Sequence, residues 1–319
     1  MSVCGRLSSS PSLSRGHMSS TELQPGIYLA HKPVGMSSFD IVRSFKARAK
    51  DLGQKKWALG HGGTLDPFAK GLLLVLSGQA TRLMELMHPL PKVYEADIAW
   101  GAETDTCDHL GLVVLEGDIG NLSEESLNLA IDSFLGWSDQ VPPATSAKKI
   151  GGEAAYKKAH RGETVTLPPS KVYLYDAAWL WHDLPRQSRL KITCRGGFYV
   201  RSLARDLGRA LGCGAHLSGL FRTAIGPWGD PGEAAFPLIN GADLIPWCQK
   251  RILDKAEADH LAHGRPIGIG EVAEGSYSFP DNFPSAAPPL AALYESKLVA
   301  LLNEREGMLW TIANLRGGI

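Results

Sequence analysis

The chain has 319 residues, with 33 Lys+Arg against 33 Asp+Glu, 44% hydrophobic and 21% charged. The length suits two domains better than one, the apolar fraction is that of a globular chain, and the lack of any run of about 18 apolar residues excludes a membrane-spanning helix. The five cysteines (Cys4, Cys107, Cys194, Cys213, Cys248) form no C-x-x-C pair, which points away from a disulfide framework or structural zinc and toward a reducing, cytoplasmic compartment.

The first residues, MSVCGRLSSSPSLSRGHMSS, are Ser-rich, contain Arg6 and Arg15, and hold no acid. Without an apolar core they are no secretory signal. Residues 1–24 are expected to be a disordered tail, or a start placed too early with Met18 the true beginning; their Arg/Ser character also weakly resembles an organelle transit peptide. GIYLAHKP then reads as a short strand. Ser38–Ala49 has helical spacing, with Ile41, Val42, Phe45 and Ala49 on one face.

Leu59–Met87, LGHGGTLDPFAKGLLLVLSGQATRLMELM, is the most informative stretch. One reading of Asp66-Pro67-Phe68-Ala69-Lys70-Gly71 is structural, an N-cap Asp with Pro at N1 and a Gly stop one turn later. The other is functional: Pro67 pushes Asp66 toward extended backbone, and Gly60, Gly62 and Gly63 before it allow a ligand to approach closely. Both stay open on spacing alone. No G-x-x-x-x-G-K-[ST] phosphate loop and no G-x-G-x-x-G fingerprint is present.

LLLVLSG reads as a strand, TRLMELM as a helical run, and VYEADIAWG and SRLKITCRGGFYVR as strands. The last of these places Tyr199 and Arg201 two apart, on one strand face. SLARDLGRALG reads as a helix ended by Gly. Two charge blocks lie in this region. Glu95–Gln140 has eleven acids and no Lys or Arg, whereas Val141–Ala224 has fourteen Lys+Arg and five acids. Either the basic block presents a face to a polyanion, or the two blocks neutralise each other across the fold. Arg201, Arg205 and Arg209, at i, i+4, i+8, would form one basic stripe if helical.

The intermixed elements favour a mixed α/β or α+β architecture over a doubly wound one. Composition shifts near Pro246. The remainder reads as a small β-rich domain with a Pro/Ser loop, SFPDNFPSAAPP, and ends in two strands around a Glu-Gly turn. His260 and His263 in DHLAH have no evident third ligand, so no metal is expected.

GHGGTLDPFAKG resembles the signature G-H-x-G-x-L-D-P-x-A-x-G of the TruB family of RNA pseudouridine synthases. Three further blocks match in order: HKPVGMSSFD (31–40), KVYEADIAWGAETDTCDHLG (92–111) and RGGFYVRSLARDLGRALGCGAHLSGLFRTAIG (195–226). The resemblance covers Gly26–Gly226. It implies an α+β fold, with a mixed, largely antiparallel catalytic sheet over residues 25–245 and a small PUA-like, β-rich RNA-binding domain over 246–319.

By resemblance, Asp66 is the catalytic nucleophile, attacking C1′ or the uracil ring, or taking the 2′ proton. Arg201 pairs with it and Tyr94 stacks on the base. Tyr199 and Leu220 complete the pocket, His61 contacts the displaced RNA, and Lys149 touches the RNA backbone beside Lys148, Lys157, Lys158 and Arg161. The implied reaction is conversion of uridine to pseudouridine at position 55 in the TΨC loop of tRNA. It needs no cofactor or metal, and neither guide RNA nor membrane is expected as partner; a monomer is the default. The alternative is a non-catalytic tRNA-binding or folding protein on the same scaffold, which predicts loss of Asp66, Tyr94 or Arg201. A glycosidase would need a second acid near Asp66, for which Glu103–Asp108 is the available source.

Overall fold

The computed structural model describes residues 22–146, 148–161, 163, 165–280 and 288–319; the side chains at 149, 150, 154, 159 and 160 lie outside that description, as does most of the expected tail. Strand β1 (Gly26–Lys32) is buried at every residue. Ser37 opens helix α1 (Ser38–Asp51) with a capping box, accepting from the Asp40 N–H while Asp40 accepts from the Ser37 N–H, and Ile41, Val42, Phe45 and Ala49 form its buried face as their spacing predicts. Strands β2 (Leu59–His61) and β3 (Lys70–Ser77) flank the Gly-rich loop. The short helix that Asp66 would cap is not formed. Pro67 and Phe68 make a turn closed by the Ala69 N–H on the Asp66 carbonyl at 3.1 Å, and β3 starts at Lys70.

After a 3₁₀ turn at Gly78–Leu83 and the short α2 (Met84–Met87) comes β4 (Lys92–Trp100), which alternates buried and half-buried residues along its length. Strands β5 (Ala102–Thr104) and β6 (Val113–Glu116) pair as a hairpin before α3 (Glu124–Asp132) and β7 (Gly136–Gln140). A two-residue hairpin, β8 (Lys149–Ile150) and β9 (Glu153–Ala154), runs into α4 (Ala155–His160). The long β10 (Ser170–Asp183) pairs with β11 (Gln187–Cys194), and α5 (Val200–Ala210) leads to β12 (Ala215–Ile225), β13 (Trp228–Gly229) and β14 (Leu238–Ile239).

The strand expected to carry Tyr199 and Arg201 ends at Cys194. Gly196 and Gly197 turn the chain away: Gly197 has φ +93°, and a Cβ on Gly196 would lie 1.7 Å from the His88 carbonyl oxygen. Tyr199 is therefore the extended residue preceding α5, and Arg201 sits in that helix's first turn.

The principal sheet has ten strands in the order β14-β1-β3-β12-β4-β11-β10-β7, with β13 on β12 and β2 on β3. All pairings are antiparallel except β3 with β12, where Gly71 lies beside Arg222. A Cβ on Gly71 would stand 2.3 Å from the Arg222 carbonyl oxygen, so only glycine permits this join. Past Pro246, β15 (Lys250–Ile252), α6 (Lys255–Ala262), β16 (Ile267–Gly268), β17 (Leu290–Tyr294), β18 (Lys297–Arg305) and β19 (Met308–Asn314) form a five-stranded sheet in the order β15-β17-β18-β19-β16. Its last hairpin turns at Glu306 and Gly307, both at positive φ, as two-residue hairpin turns demand. The architecture is thus α+β, a mixed and largely antiparallel sheet with a β-rich C-terminal part.

Alternation along β1 and β3 divides two cores. Ile27, Leu29, Leu72, Leu74 and Leu76 join Trp228, Trp247, Leu293 and Leu301 in a cluster spanning both sheets. Tyr28, Ala30, Leu73 and Val75 meet Ile41 and Phe45 of α1 on the opposite face. A third cluster packs Ile98, Leu190, Ile192 and Leu217 against Val200, Leu203 and Leu207 of α5. Helix α1 therefore rests on the sheet where β1 and β3 are buried on both sides, and α5 on the neighbouring β4, β11 and β12.

Candidate active site

Asp66 projects from a turn held at every neighbouring residue. Ser38, the first residue of α1, brackets Leu65: its hydroxyl accepts from the Leu65 N–H at 2.8 Å and donates to the Leu65 carbonyl at 3.1 Å. Arg222 donates to the carbonyls of Gly63 at 3.2 Å and Thr64 at 3.1 Å. Lys32 donates to the carbonyls of Pro67 at 3.4 Å and Ala69 at 2.5 Å, and the Gly35 N–H to that of Pro67 at 2.8 Å. The family-like block around Lys32–Gly35 therefore acts as a clamp on the Asp66 turn.

Arg201 approaches the Asp66 carboxylate through two nitrogens, Nη2 to Oδ1 at 3.0 Å and Nε to Oδ2 at 2.9 Å. Only Nη2 is aligned as a donor, and Nε stands off the hydrogen-bond line, so the pair is one charge-assisted hydrogen bond within a close ion pair. Its Nη1 donates to Thr145 Oγ1 at 2.7 Å and the Thr106 carbonyl at 3.1 Å, and lies 3.4 Å from Asp108 Oδ2. Arg201 is 5% exposed and Asp66 keeps 31% of its side-chain exposure, so the guanidinium is the buried member and the carboxylate faces the cavity. Burial raises the Asp66 pKa; Arg201 opposes this and Asp108 adds to it.

That cavity, of about 290 Å³, is lined by Thr64, Asp66, Tyr94, Tyr199, Arg201 and Leu220, together with His88, Lys92 and Arg222. Tyr94 stands opposite Arg222 across the β4–β12 ladder and Leu220 opposite Ala96, so register alone puts Tyr94, Leu220 and Arg222 on one sheet face. Tyr199 is fixed through its backbone: its N–H donates to Gln140 Oε1 at 2.8 Å and its carbonyl accepts from Gln140 Nε2 at 3.1 Å, tying the end of β7 to the start of α5.

Asp66, Tyr94, Tyr199, Arg201 and Leu220 thus converge on one cavity. His61 does not line it; it ends β2 beside the cavity, half-buried, with its pKa lowered by burial and by the nearby Arg222 and His88. Lys149 lies in β8, but its side chain is outside the described residues. Lys148 bonds Ser170 Oγ, and Lys157 is exposed. Arg161 is held by Glu153 at 2.7 and 2.9 Å and by Glu163 at 2.7 Å.

The basic stripe on α5 is solvated only at Arg209. Arg201 and Arg205 are buried; Arg205 bonds Asp206 and the Val141 carbonyl, and Arg209 forks onto Glu103 at 2.7 and 2.6 Å. The helix turns Arg201 and Arg205 inward, while Arg209 stays exposed and meets the acidic block at Glu103. Glu103–Asp108 does bring a second carboxylate near Asp66, but Asp108 sits behind Arg201 and is absent from the cavity lining. Its Oδ1 accepts from Thr106 Oγ1 and the Leu110 N–H. It braces the arginine and has no access to a leaving group.

Sequence reading gave Asp108 only as an acid within Glu103–Asp108 and missed its bond to Arg201, and it missed Thr145, Lys92 and Arg222 altogether. For the last two a signal was present, since Lys92 and Tyr94 share strand parity, as do Leu220 and Arg222. Among the described residues, no group of three or more His, Cys, Asp or Glu is arranged to hold a metal, and no helix is long and apolar enough to cross a membrane.

The model of the N-terminal domain of the TruB family pseudouridylate synthases matches residues 50–200, and that of the tRNA pseudouridylate synthase B C-terminal domain matches 201–238, within the large sheet. The tRNA pseudouridine synthase B of Cupriavidus metallidurans is 35% identical over 300 residues, 89% of this chain and 92% of that one. Its counterpart from Xanthomonas campestris (strain B100) is 42% identical over 223 residues, 68% of this chain and 70% of that one. The match to the Thermotoga maritima enzyme, 42% over 205 residues, spans 64% of each chain. In fold, the chain resembles the crystal structure of a Cbf5-Nop10-Gar1 complex, with a TM-score of 0.66 at 21% identity, over 92% of this chain and 85% of that chain. The chain belongs to the TruB family of pseudouridylate synthases.

Proposed function

We propose that this chain isomerises uridine to pseudouridine in tRNA, at position 55 of the T-arm stem-loop, with Asp66 as nucleophile. The observation that carries the reading is the close Asp66–Arg201 ion pair facing a cavity lined by Tyr94 and Leu220. The isomerisation must break the C1′–N1 bond, turn the base and rejoin it through C5. It asks for an ionised carboxylate at the sugar–base junction and a pocket for an extruded base. Arg201 favours the charged form of Asp66 against the burial that raises its pKa. Tyr94 offers an aromatic face to the uracil, a contact of about 1–3 kcal/mol, and Leu220 closes the apolar wall. A non-catalytic tRNA binder would have no use for this ion pair, and all three residues whose loss it predicts are present and assembled.

Recognition of a stem-loop with splayed bases follows the usual mode of specific RNA binding. No guide RNA is part of this proposal. The division at residues 245/246 into catalytic and PUA-like RNA-binding units, with Lys149 and His61 as RNA contacts, belongs to it too. The test is incubation of the purified chain with an unmodified tRNA transcript alone, followed by carbodiimide derivatisation and primer extension. One stop reporting position 55 is expected; no stop, or stops only elsewhere, contradicts the proposal.

A further inference from the structure

Two cations lie under the cavity without a counter-ion. Arg222 is 0% exposed and Lys92 6%, and among the described residues neither has a carboxylate within 4 Å. Lys92 donates to the carbonyls of Leu90 at 2.8 Å and His88 at 2.9 Å. Arg222 donates to the carbonyls of Leu72 at 2.7 Å, Thr64 and Gly63. Burial raises the Tyr94 phenol beside them and pushes the Cys194 thiol, cross-strand from Lys92, up to about 12, while the two cations repel each other and Arg222 also repels Lys32. Burying an unpaired charge is expensive, and burial duly lowers Lys92 to about 7. Yet both side chains border the space into which the base must fit.

We propose that Lys92 and Arg222 form a cationic floor that stabilises the negative charge developing on the uracil ring during isomerisation. The inference rests on the function proposed above. Each available route places charge on the base. If C1′–N1 breaks, by carboxylate attack at C1′ or by loss of the 2′ proton, the bonding pair stays on the ring as a uracil anion spread over N1, O2 and O4. If the Asp66 carboxylate instead adds to C6, the C5–C6 π pair moves toward C4 and O4 as an enolate. In both cases C5 later bonds to C1′, its proton leaves, and N1 gains one, so the net change is isomerisation. Fixed, dry cations beside a developing anion stabilise it without reorganising, an effect of about 10²–10³-fold for a single donor.

The electrostatic role separates from a merely structural one through the leaving base. Fluorine at C5 withdraws electrons and stabilises the ring anion by itself. Single-turnover rates of loss of the N1-linked target nucleoside are compared at pH 6, where Lys92 is protonated, for tRNA carrying uridine or 5-fluorouridine; the fluorinated ring has no C5 proton to lose, so C1′–N1 cleavage is the step read for both. For Lys92→Met the uridine reaction is expected to slow about 10²-fold, the 5-fluorouridine reaction to slow clearly less, and tRNA affinity to hold within about twofold; Lys92→Arg restores the rate. Equal slowing of both substrates, or none, would overturn the inference while leaving the function intact. No pseudouridine from the wild type on uridine tRNA would overturn both. Should Lys92→Met fail to fold, the Asp66→Asn enzyme bound to tRNA with a ¹³C4=O target uridine gives an independent reading. The carbonyl stretch is expected to fall in frequency on binding, and an unshifted band overturns the floor.

Discussion

Asp66 is pulled two ways. Burial and Asp108 favour its protonated form, while Arg201 favours the carboxylate that the reaction requires. The acid limb of the single-turnover rate is therefore expected above the ordinary carboxylate range near about 4. The sign is set by burial: a raised pKa means activity lost as pH falls through a higher value than an exposed Asp would show. Arg201→Met removes the opposing cation, so the limb should move further upward and the plateau should fall by about 10²-fold or more. A pH–rate profile of the two proteins checks this, and an unmoved limb would contradict the role given to Arg201. At this scale the sequence was informative about identities but silent about partners. Asp66 and Arg201 are 135 positions apart, and nothing in local spacing reveals that Thr145 and Asp108 share the same guanidinium.

Helices and strands were legible where a single face decides burial. The alternation of Lys92–Trp100 and the apolar face of α1 both reappear as read. One expectation failed, and one of two open readings was ruled out, for the same reason: backbone contacts across the fold overrode local propensity. The stretch after Cys194 alternates like a strand, but Gly196 must pass the His88 carbonyl too closely for any side chain. The Asp66–Gly71 stretch carries capping chemistry, but its carbonyls at Pro67 and Ala69 are taken by the Lys32 ammonium. Because α1 positions the Asp66 turn through Ser38, Ser38→Ala leaves the Leu65 N–H and carbonyl buried without their partner. A loss of about 1–3 kcal/mol in stability is expected, with catalytic rate falling more than tRNA affinity. Chemical denaturation and single-turnover assays measure the two, and an unchanged rate would show that the clamp is not needed.

Over the whole molecule, zero net charge conceals pairing between the two blocks. Arg189 forks onto Asp97 at 2.6 and 3.0 Å, Arg209 onto Glu103, and Arg201 reaches Asp108, so neutralisation across the fold accounts for several of the basic block's arginines. Which strands would meet was not legible, since the parallel join of β3 to β12 links residues about 150 positions apart. Nor was the shared core. Trp247, just past the composition shift, packs on Trp228 of the large sheet with ring centroids 5.8 Å apart, within a cluster drawn from both sheets. A core common to both predicts one cooperative thermal transition for the described fold, and Trp247→Ala should lower it by about 3–5 kcal/mol. Calorimetry showing two separate transitions, with only the smaller affected, would contradict that coupling.

The central claim is that Asp66 in its arginine-held turn performs the isomerisation. Release of tritium from tRNA labelled at C5 of uridine tests it most directly, because the label leaves only when C5 bonds to C1′. One equivalent released per tRNA is expected from the wild type, and none from Asp66→Asn while tRNA binding persists. Release that survives Asp66→Asn would contradict the assignment of the nucleophile, and tight binding by the wild type without release would contradict the catalytic reading itself.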